Sequence, residues 1–321
     1  MTRATTPATY VERVNCAIDH VVGHLGEPLR LADVAAAAGL SPFHFHRVFQ
    51  MIVGETLADF VKRQRLDKAV FLMCHGRRPS LTAIALACGF ASSSDFSRCF
   101  KQRFGAAPSG FDIKAWREAH GAELEGIVAG AVKGRHVTGL PRLALSDNPD
   151  GFKVRIRDLP ARTVAYVRAR NPYKGGVGYS VVQAFERLGA WAEGNSLADG
   201  QWLGFQWEHP EITPLEQCVY HAAVEVPGER LAGSGTKVKG LMDWGGEIGR
   251  FGFPAMVVAQ IEMRGGIDLE LRLFQWFYGV WLPKSGYVPD DHPSFEAFIG
   301  RPFGLGMEHF ELNVQVPVRR G

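Results

Sequence analysis

Residues 41–50 read SPFHFHRVFQ and place His44 and His46 one residue apart, beside Arg47. Paired imidazoles suggest a metal site or an acid–base pair. On a helix, however, positions i and i+2 stand about 200° apart, so the two rings cannot easily grip one ion. Phe45, Val48, Phe49 and Ile52 recur at helical spacing through the same stretch and turn inward. That leaves Phe43, His46, Arg47 and Gln50 on the outward face, with His44 at its margin.

A second chemical signal is Glu296, in SFEAFI. On a strand, Ser294, Glu296 and Phe298 share one face, opposite Phe295, Ala297 and Ile299. A carboxylate on an aromatic-lined interior face suits an organic cation, through charge attraction and cation–π contact. The competing reading is an exposed glutamate on an edge strand. Trp207, Trp244, Trp276, Phe277, Tyr278, Trp281 and Tyr166 are candidate walls for such a site, although each also suits plain core packing. Glu208, in GFQWEHP, is a second and weaker candidate acid.

Other chemistries lack their residues. There is no GxSxG, no HExxH and no Walker-type Gly-Lys-Ser/Thr. GGVG at 175–178 is a glycine-rich loop without the strand-before, helix-after grammar of a dinucleotide site. No catalytic residue, metal site or cofactor is expected. The five cysteines (Cys16, Cys74, Cys88, Cys99, Cys218) are odd in number and form no CxxC, which points to reduced thiols in a cytoplasm. MTRATTPATY lacks the apolar core of a secretory signal, and no apolar run reaches the ~20 residues of a membrane helix.

The 321 residues suggest at least two domains. The net charge of +3 is uneven: residues 1–117 carry 15 Lys+Arg against 9 Asp+Glu, and the remainder 21 against 24. Different partners for the two parts follow. Residues 1–117 read as helices, 118–150 as a Gly-punctuated linker with a short helix near 122–132, and 151–321 as a mixture of strands and helices. Six of seven tryptophans and six of seven tyrosines lie beyond residue 150, where a flat or apolar ligand is best held.

Each part contains a repeat. In the first, 31–60 aligns with 81–111: Leu31 with Leu81, Val34 with Ile84, Gly39 with Gly89 and, after one extra residue, Phe45 with Phe96 and Arg47 with Arg98. Leu31, Val34, Ala35 and Ala38 make an apolar stripe in the first helix of the pair, and the glycine supplies a sharp turn. This is the construction of a helix-turn-helix. A single copy also suits a plain helical bundle; two copies in a basic region favour DNA. In the second part, LPARTVAYVRA (159–169) echoes FPAMVVAQIEM (253–263), LGAW (188–191) echoes YGVW (278–281), and HAAVEVP (221–227) echoes ELNVQVP (311–317). Two units of strand, helix and two strands are expected to pair about a pseudo-twofold axis into a curved sheet backed by helices, an α+β domain with a crevice between the units.

Residues 28–117, most clearly SLTAIALACGFASSSDFSRCFKQRFGAAPSGF (80–111) and the connecting helix LADFVKRQRLDKAVFLM (57–73), resemble the DNA-binding domain of AraC/XylS transcription regulators. There are departures. Arg30 stands where the second unit has the helix-capping Ser80, and Leu57 where it has Pro108. Residues 150–318, most clearly 278–318, resemble the GyrI-like effector-binding domain, and the whole order is similar to the Rob-type arrangement. The resemblance implies two recognition helices entering successive major-groove segments of double-stranded DNA, roughly 34 Å apart. It places Phe43, His46, Arg47 and Gln50 of the first helix and Ser93, Ser94, Ser97, Arg98 and Lys101 of the second against DNA. Lys62, Arg63 and Arg65 are either phosphate contacts or a solvated face. Glu296 becomes the first choice for an effector contact. The expectation is therefore a cytoplasmic transcription regulator whose small effector, hydrophobic or cationic, alters DNA binding or contact with RNA polymerase. The alternative is a GyrI-like small-molecule hydrolase or binding protein with a subsidiary DNA-binding domain.

Overall fold

The computed structural model describes residues 7–75, 79–131, 147–174, 179–210, 212–228, 248–304 and 309–321. The glycine-rich loop at 175–178 and Trp244 lie outside them. The chain divides into two compact units. The first comprises Met1–Ala115 and Gly240–Gly249, and the second Trp116–Lys239 and Arg250–Gly321.

The first unit is helical: α1 (Pro7–Gly23), α2 (Leu31–Ala37), α3 (Pro42–Val53), α4 (Leu57–His75), α5 (Leu81–Ala87) and α6 (Ser93–Phe104). Helix α7 (Ile113–Ala131) follows, so the expected boundary at 117 and the start of the expected linker both fall inside a helix. The pairs α2–α3 and α5–α6 match bond for bond. Leu40 N–H donates to Ala35 O and Phe90 N–H to Ala85 O, each across a left-handed glycine, Gly39 (φ 60°) or Gly89 (φ 78°). Left-handed Gly54 and Gly105 then end α3 and α6. Ser41 and Ser92 cap α3 and α6, accepting from His44 N and Asp95 N, and Ser80 caps α5. Arg30 opens α2 with no side-chain cap. Leu31 departs from its expected stripe: it is exposed, and Val34, Ala35 and Ala38 alone join the buried core with Val14, Ala17, Phe45, Phe49 and Phe60.

Helix α4 ties the pairs together through its cations. Arg65 donates to Leu25 O (3.0 Å) and Glu27 O (2.7 Å), and Arg63 pairs with Glu55 (2.6 Å). Buried Asp67 receives Arg103 from α6 at 2.9 Å. Arg63 and Arg65 therefore hold helices to one another rather than facing phosphates. Lys62, paired with Asp59 at 3.6 Å, stays outside.

The second unit is a nine-stranded antiparallel sheet with β1 (Val154–Leu159), β2 (Arg162–Arg170), β3 (Trp202–Gln206), β4 (Val219–Val226), β5 (Gly249–Phe253), β6 (Met256–Gly265), β7 (Tyr287–Pro289), β8 (Phe295–Phe298) and β9 (Phe310–Arg320). Helix α8 (Tyr179–Gly194) follows β2; helix α9 (Ile267–Trp276) follows β6 and runs through one wide turn, Phe277–Trp281, into Leu282–Ser285. The strand order β1-β6-β9-β8-β3-β4-β2-β5 reads the same from both ends if β1 is exchanged with β5, β2 with β6, β3 with β8 and β4 with β9. The expected pseudo-twofold repeat is present, longer by one strand at its start. Those leading strands are exchanged: β1 pairs with β6, and β5 with β2. The axis passes between β3 and β8, where Gly204 faces Glu296.

One sheet face carries Val164, Tyr166, Leu203, Phe205, Ala223, Phe253, Phe295 and Ala297, a single apolar cluster. The other carries Trp202, Gly204, Gln206, Tyr220, Glu296 and Phe298, since neighbours along a strand alternate. Helix α8 covers this second face, its Phe185 ring lying 6.2 Å from Trp202, 6.2 Å from Tyr220 and 5.3 Å from Phe298. Among the described residues, no helix is long and apolar enough to cross a membrane, and the five cysteines form no disulfide.

Candidate functional site

Two sites emerge, one in each unit. On α3 the inward residues Phe45, Val48 and Phe49 are buried, and Phe43, His44, His46, Arg47, Gln50 and Met51 are exposed. Phe43 and Met51 leave 75% and 74% of their surface in solvent, which is unusual for side chains that gain by burial. Arg47 lies 6.0 Å from the centre of the Phe43 ring, one turn away. His44 does not stand free, since its ring meets Tyr10 edge-on at 5.3 Å. That contact separates it from His46. Met51 is an outward residue that periodicity alone assigned no role.

On α6, Ser94, Arg98 and Lys101 are exposed, whereas Ser93 and Ser97 are half-buried. Arg98 pairs with Asp95 at 2.6 Å, and Asp95 itself sits in the first turn, its N–H capped by Ser92. The carboxylate holds the guanidinium in one orientation and competes with any phosphate or base for it. The helix thus offers fewer unengaged donors than its sequence suggests.

In the second unit, Glu296 is half-buried on the helix-covered face and accepts a hydrogen bond from the Tyr220 hydroxyl at 2.6 Å. Gly204 makes this bond possible. It lies between the two, and a methyl group there would strike the Tyr220 ring and hydroxyl and come within 2.9 Å of Glu296 Oε2. Next along the same face, the Tyr173 hydroxyl and the Gln206 amide are bonded, at 3.1 Å from Gln206 Nε2. A second carboxylate comes from α9: Glu270 is buried, and its Oε1 has no hydrogen-bond partner. Burial pushes the Glu296 carboxyl up to about 7, against the lowering effect of Tyr220. Burial, and then the neighbouring charge of Glu296, raises Glu270 well above the usual carboxylate range. Near neutrality the pair therefore retains a proton, and a cation entering the cluster would displace it.

Sequence reasoning found Glu296 through strand alternation and missed Glu270, Tyr220, Tyr173 and Gln206. Those four come from α9, β4, a loop and β3, and only pairing across the sheet brings them together. The expected walls are scattered. Tyr166 and Trp207 belong with the apolar cluster on the opposite face. Trp276 is buried against Phe152 at 5.4 Å. Around the wide turn, Phe277 stacks on Trp281 at 5.1 Å and meets Tyr278 edge-on, while Trp281 stacks on Tyr287. Glu208 is buried and accepts from Val219 N–H at 3.3 Å, which serves the β3–β4 connection.

Residues 152–319 match the GyrI-like small molecule binding domain, and residues 34–112 match a helix-turn-helix domain family. The first match takes in more than half of the chain. The chain belongs to the GyrI-like family. Its helical unit is of the AraC type indicated by its sequence. The regulatory protein PocR of Salmonella typhimurium is 32% identical over 123 residues, which are 38% of this chain and 40% of PocR. The right origin-binding protein of Escherichia coli K12 is 38% identical over 87 residues, 27% of this chain and 30% of that protein. The GyrI-like chain thus spans well under half the length of these curated relatives. A solved transcriptional regulator with an AraC-type DNA-binding domain, from Chromobacterium violaceum, is 27% identical, covering 32% of this chain and 89% of that one with a TM-score of 0.30.

Proposed function

We propose that the protein is a sequence-specific DNA-binding transcription regulator whose GyrI-like unit takes up a small hydrophobic cation and, in response, alters DNA binding. One observation carries this reading: a duplicated, bond-for-bond equivalent helix-turn-helix stands in the same chain as a carboxylate pair, Glu270 buried and Glu296 half-buried, in a small-molecule-binding domain. Phe43, His46, Arg47, Gln50, Ser94, Arg98 and Lys101 face DNA, with Arg47 the strongest candidate for reading guanine. Glu296 and Glu270 hold the cation, and Tyr220 keeps Glu296 in place. The same reading makes RNA polymerase a partner and the cytoplasm the place of action, and gives the protein no enzymatic turnover.

The full-length protein, mixed with fragmented genomic DNA, should retain a small set of sequences sharing a motif. Its affinity for those sequences should fall steeply as salt rises, because cationic side chains release counterions from phosphates. Retention of no fragments above background at low salt would end the regulator reading. A carboxylate titrating near neutrality also suits general acid–base work, so turnover of an electrophilic ligand is the second reading. Accumulation of product from such a ligand, lost in Glu296→Gln, would select it.

A further inference from the structure

Helix α4 runs between the two helix-turn-helix motifs and is bonded to the recognition-helix end of each. Glu55, which follows the left-handed glycine that ends α3, accepts from Arg63 Nη2 at 2.6 Å and Nε at 3.1 Å. One turn further along α4, buried Asp67 accepts from Arg103, the second-last residue of α6, at 2.9 Å. Arg63 and Asp67 stand at i and i+4, so both bonds lie on one side of α4. Arg65 lies about 200° around the helix from Arg63. It donates to Leu25 O at 3.0 Å and Glu27 O at 2.7 Å, in the loop that leads into α2.

On that second side the two motifs meet through their backbones. A methyl group on Gly89, in the turn of the second motif, would strike Leu25 O and come within 2.8 Å of Arg65 Nη2. A methyl group on Gly26, in the loop before the first motif, would come within 3.2 Å of Ala87 O, at the end of α5. Two glycines thus let a loop and a turn from different motifs approach with no side chain of their own between them. The apolar cluster around Phe45, Phe49 and Phe60 draws on α1, α2, α3 and the start of α4, and has no member from α5 or α6. The join is therefore rich in polar bonds. A buried ion pair adds little net stability over apolar packing, because desolvation offsets its attraction, yet separating its partners is costly. Such bonds fix an arrangement more than they strengthen it.

We propose that these bonds lock the two motifs into one rigid reader, with Arg65, Asp67 and Arg103 as positioning residues that set the distance and phase between the recognition helices. The spacing between the two halves of the DNA site is then a determinant of specificity in its own right, beside the bases that each helix reads. One base pair added between the halves moves the second by about 3.4 Å and turns it by roughly 35°. Loosely joined motifs would follow that shift, whereas locked motifs lose the contacts of one helix. The inference rests on the DNA-binding reading above.

The test uses the full-length protein and duplexes carrying the motif it retains from genomic fragments, with one base pair added or removed between the halves. Fluorescence anisotropy should show wild-type affinity falling at least ten-fold for either change. The double replacement Asp67→Leu with Arg103→Met exchanges the ion pair for apolar packing of similar size. It should unfold at the same urea concentration as wild type or higher, keep the base preferences within each half, and reduce the spacing penalty to less than three-fold. Arg65→Met should act in the same direction, and becomes the decisive variant should the double replacement fail to fold. A wild-type penalty below ten-fold, or a penalty of three-fold or more in the folded decisive variant, would overturn the proposal. So would loss of base preference within the halves, which would mean that the bonds only maintain the fold. Retention of no DNA by the wild type would overturn this proposal and the regulator reading together; retention without a spacing penalty overturns this one alone.

Discussion

Glu296 shows how one side chain's surroundings set both affinity and stability. Its carboxyl titrates at about 7 rather than 4.5 because it is buried. A cation prefers the ionised form, so affinity for a hydrophobic cation such as tetraphenylphosphonium should rise about ten-fold per pH unit below pH 7 and level off above it. Titration at several pH values checks this, and Glu296→Gln should be weaker and flat. The stability effect has the opposite sign. A carboxyl with a raised folded-state pKa stabilises the fold where it is protonated; that contribution is complete below about 4.5 and is lost as pH rises through about 7. Glu296→Gln should therefore resist urea better than wild type at pH 8, by roughly 1–3 kcal/mol, and equally well at pH 4. At Gly89 a single atom decides. The residue has φ +78°, and a methyl group there would strike Leu25 O and come within 2.8 Å of Arg65 Nη2. Gly89→Ala should cost about 2–4 kcal/mol in denaturant unfolding, with Gly54→Ala milder because nothing lies within 4 Å of it.

At the scale of elements, the two helix-turn-helix pairs form an internal control. Helix α5 has a serine cap and α2 has an arginine that caps nothing. Ser80→Ala should therefore destabilise the protein by about 1 kcal/mol, and Arg30→Ser should stabilise it by about 0.5–1 kcal/mol, both read from urea midpoints. The recognition helices differ in another way. Arg47 is accompanied by an aromatic ring, whereas Arg98 is held by Asp95. Arg47→Ala should relax preference at one base position, an effect of ~1–3 kcal/mol in discrimination, visible when bound fragments are re-sequenced. Weakening that is uniform across all sequences would instead mark Arg47 as a phosphate contact. These elements were legible in the sequence because glycine turns, serine caps and apolar spacing act over a few residues. Arg63 and Arg65 were not, since a basic residue on a helix reads the same whether it faces water, phosphate or a carbonyl from another helix.

At the scale of the molecule, each unit carries its own apolar core, and the second is built from a repeat. A cation bound to the Glu296 cluster stabilises the unit that contains it through mass action. Calorimetry of the full chain should show the GyrI-like part of the unfolding moving upward with cation concentration while the helical part stays in place; a uniform shift would mean that the two parts unfold together. The repeat was visible as three short echoes. For the last strand, though, HAAVEVP aligned with ELNVQVP at a spacing of 90 residues, whereas sheet pairing sets Ala222 beside Gly204 and Val314 beside Glu296, a spacing of 92. The error of two residues keeps every side chain on its correct face, because strand periodicity is two.

Local order therefore lay in the sequence: the paired helix-turn-helix motifs, their turns and most of their caps, the outward face of α3, and the face of β8 on which Glu296 stands. These features depend on periodicities of 3.6 and 2 residues and on the conformational freedom of glycine, which operate within one element. The tertiary structure decided which residues share a site. It put Trp207 and Tyr166 on the face opposite Glu296, and supplied Glu270 from α9 and Tyr220 from β4. Such choices follow from strand order and from helices laid across a sheet, where residues distant in sequence become neighbours, and no pattern within a single segment encodes them.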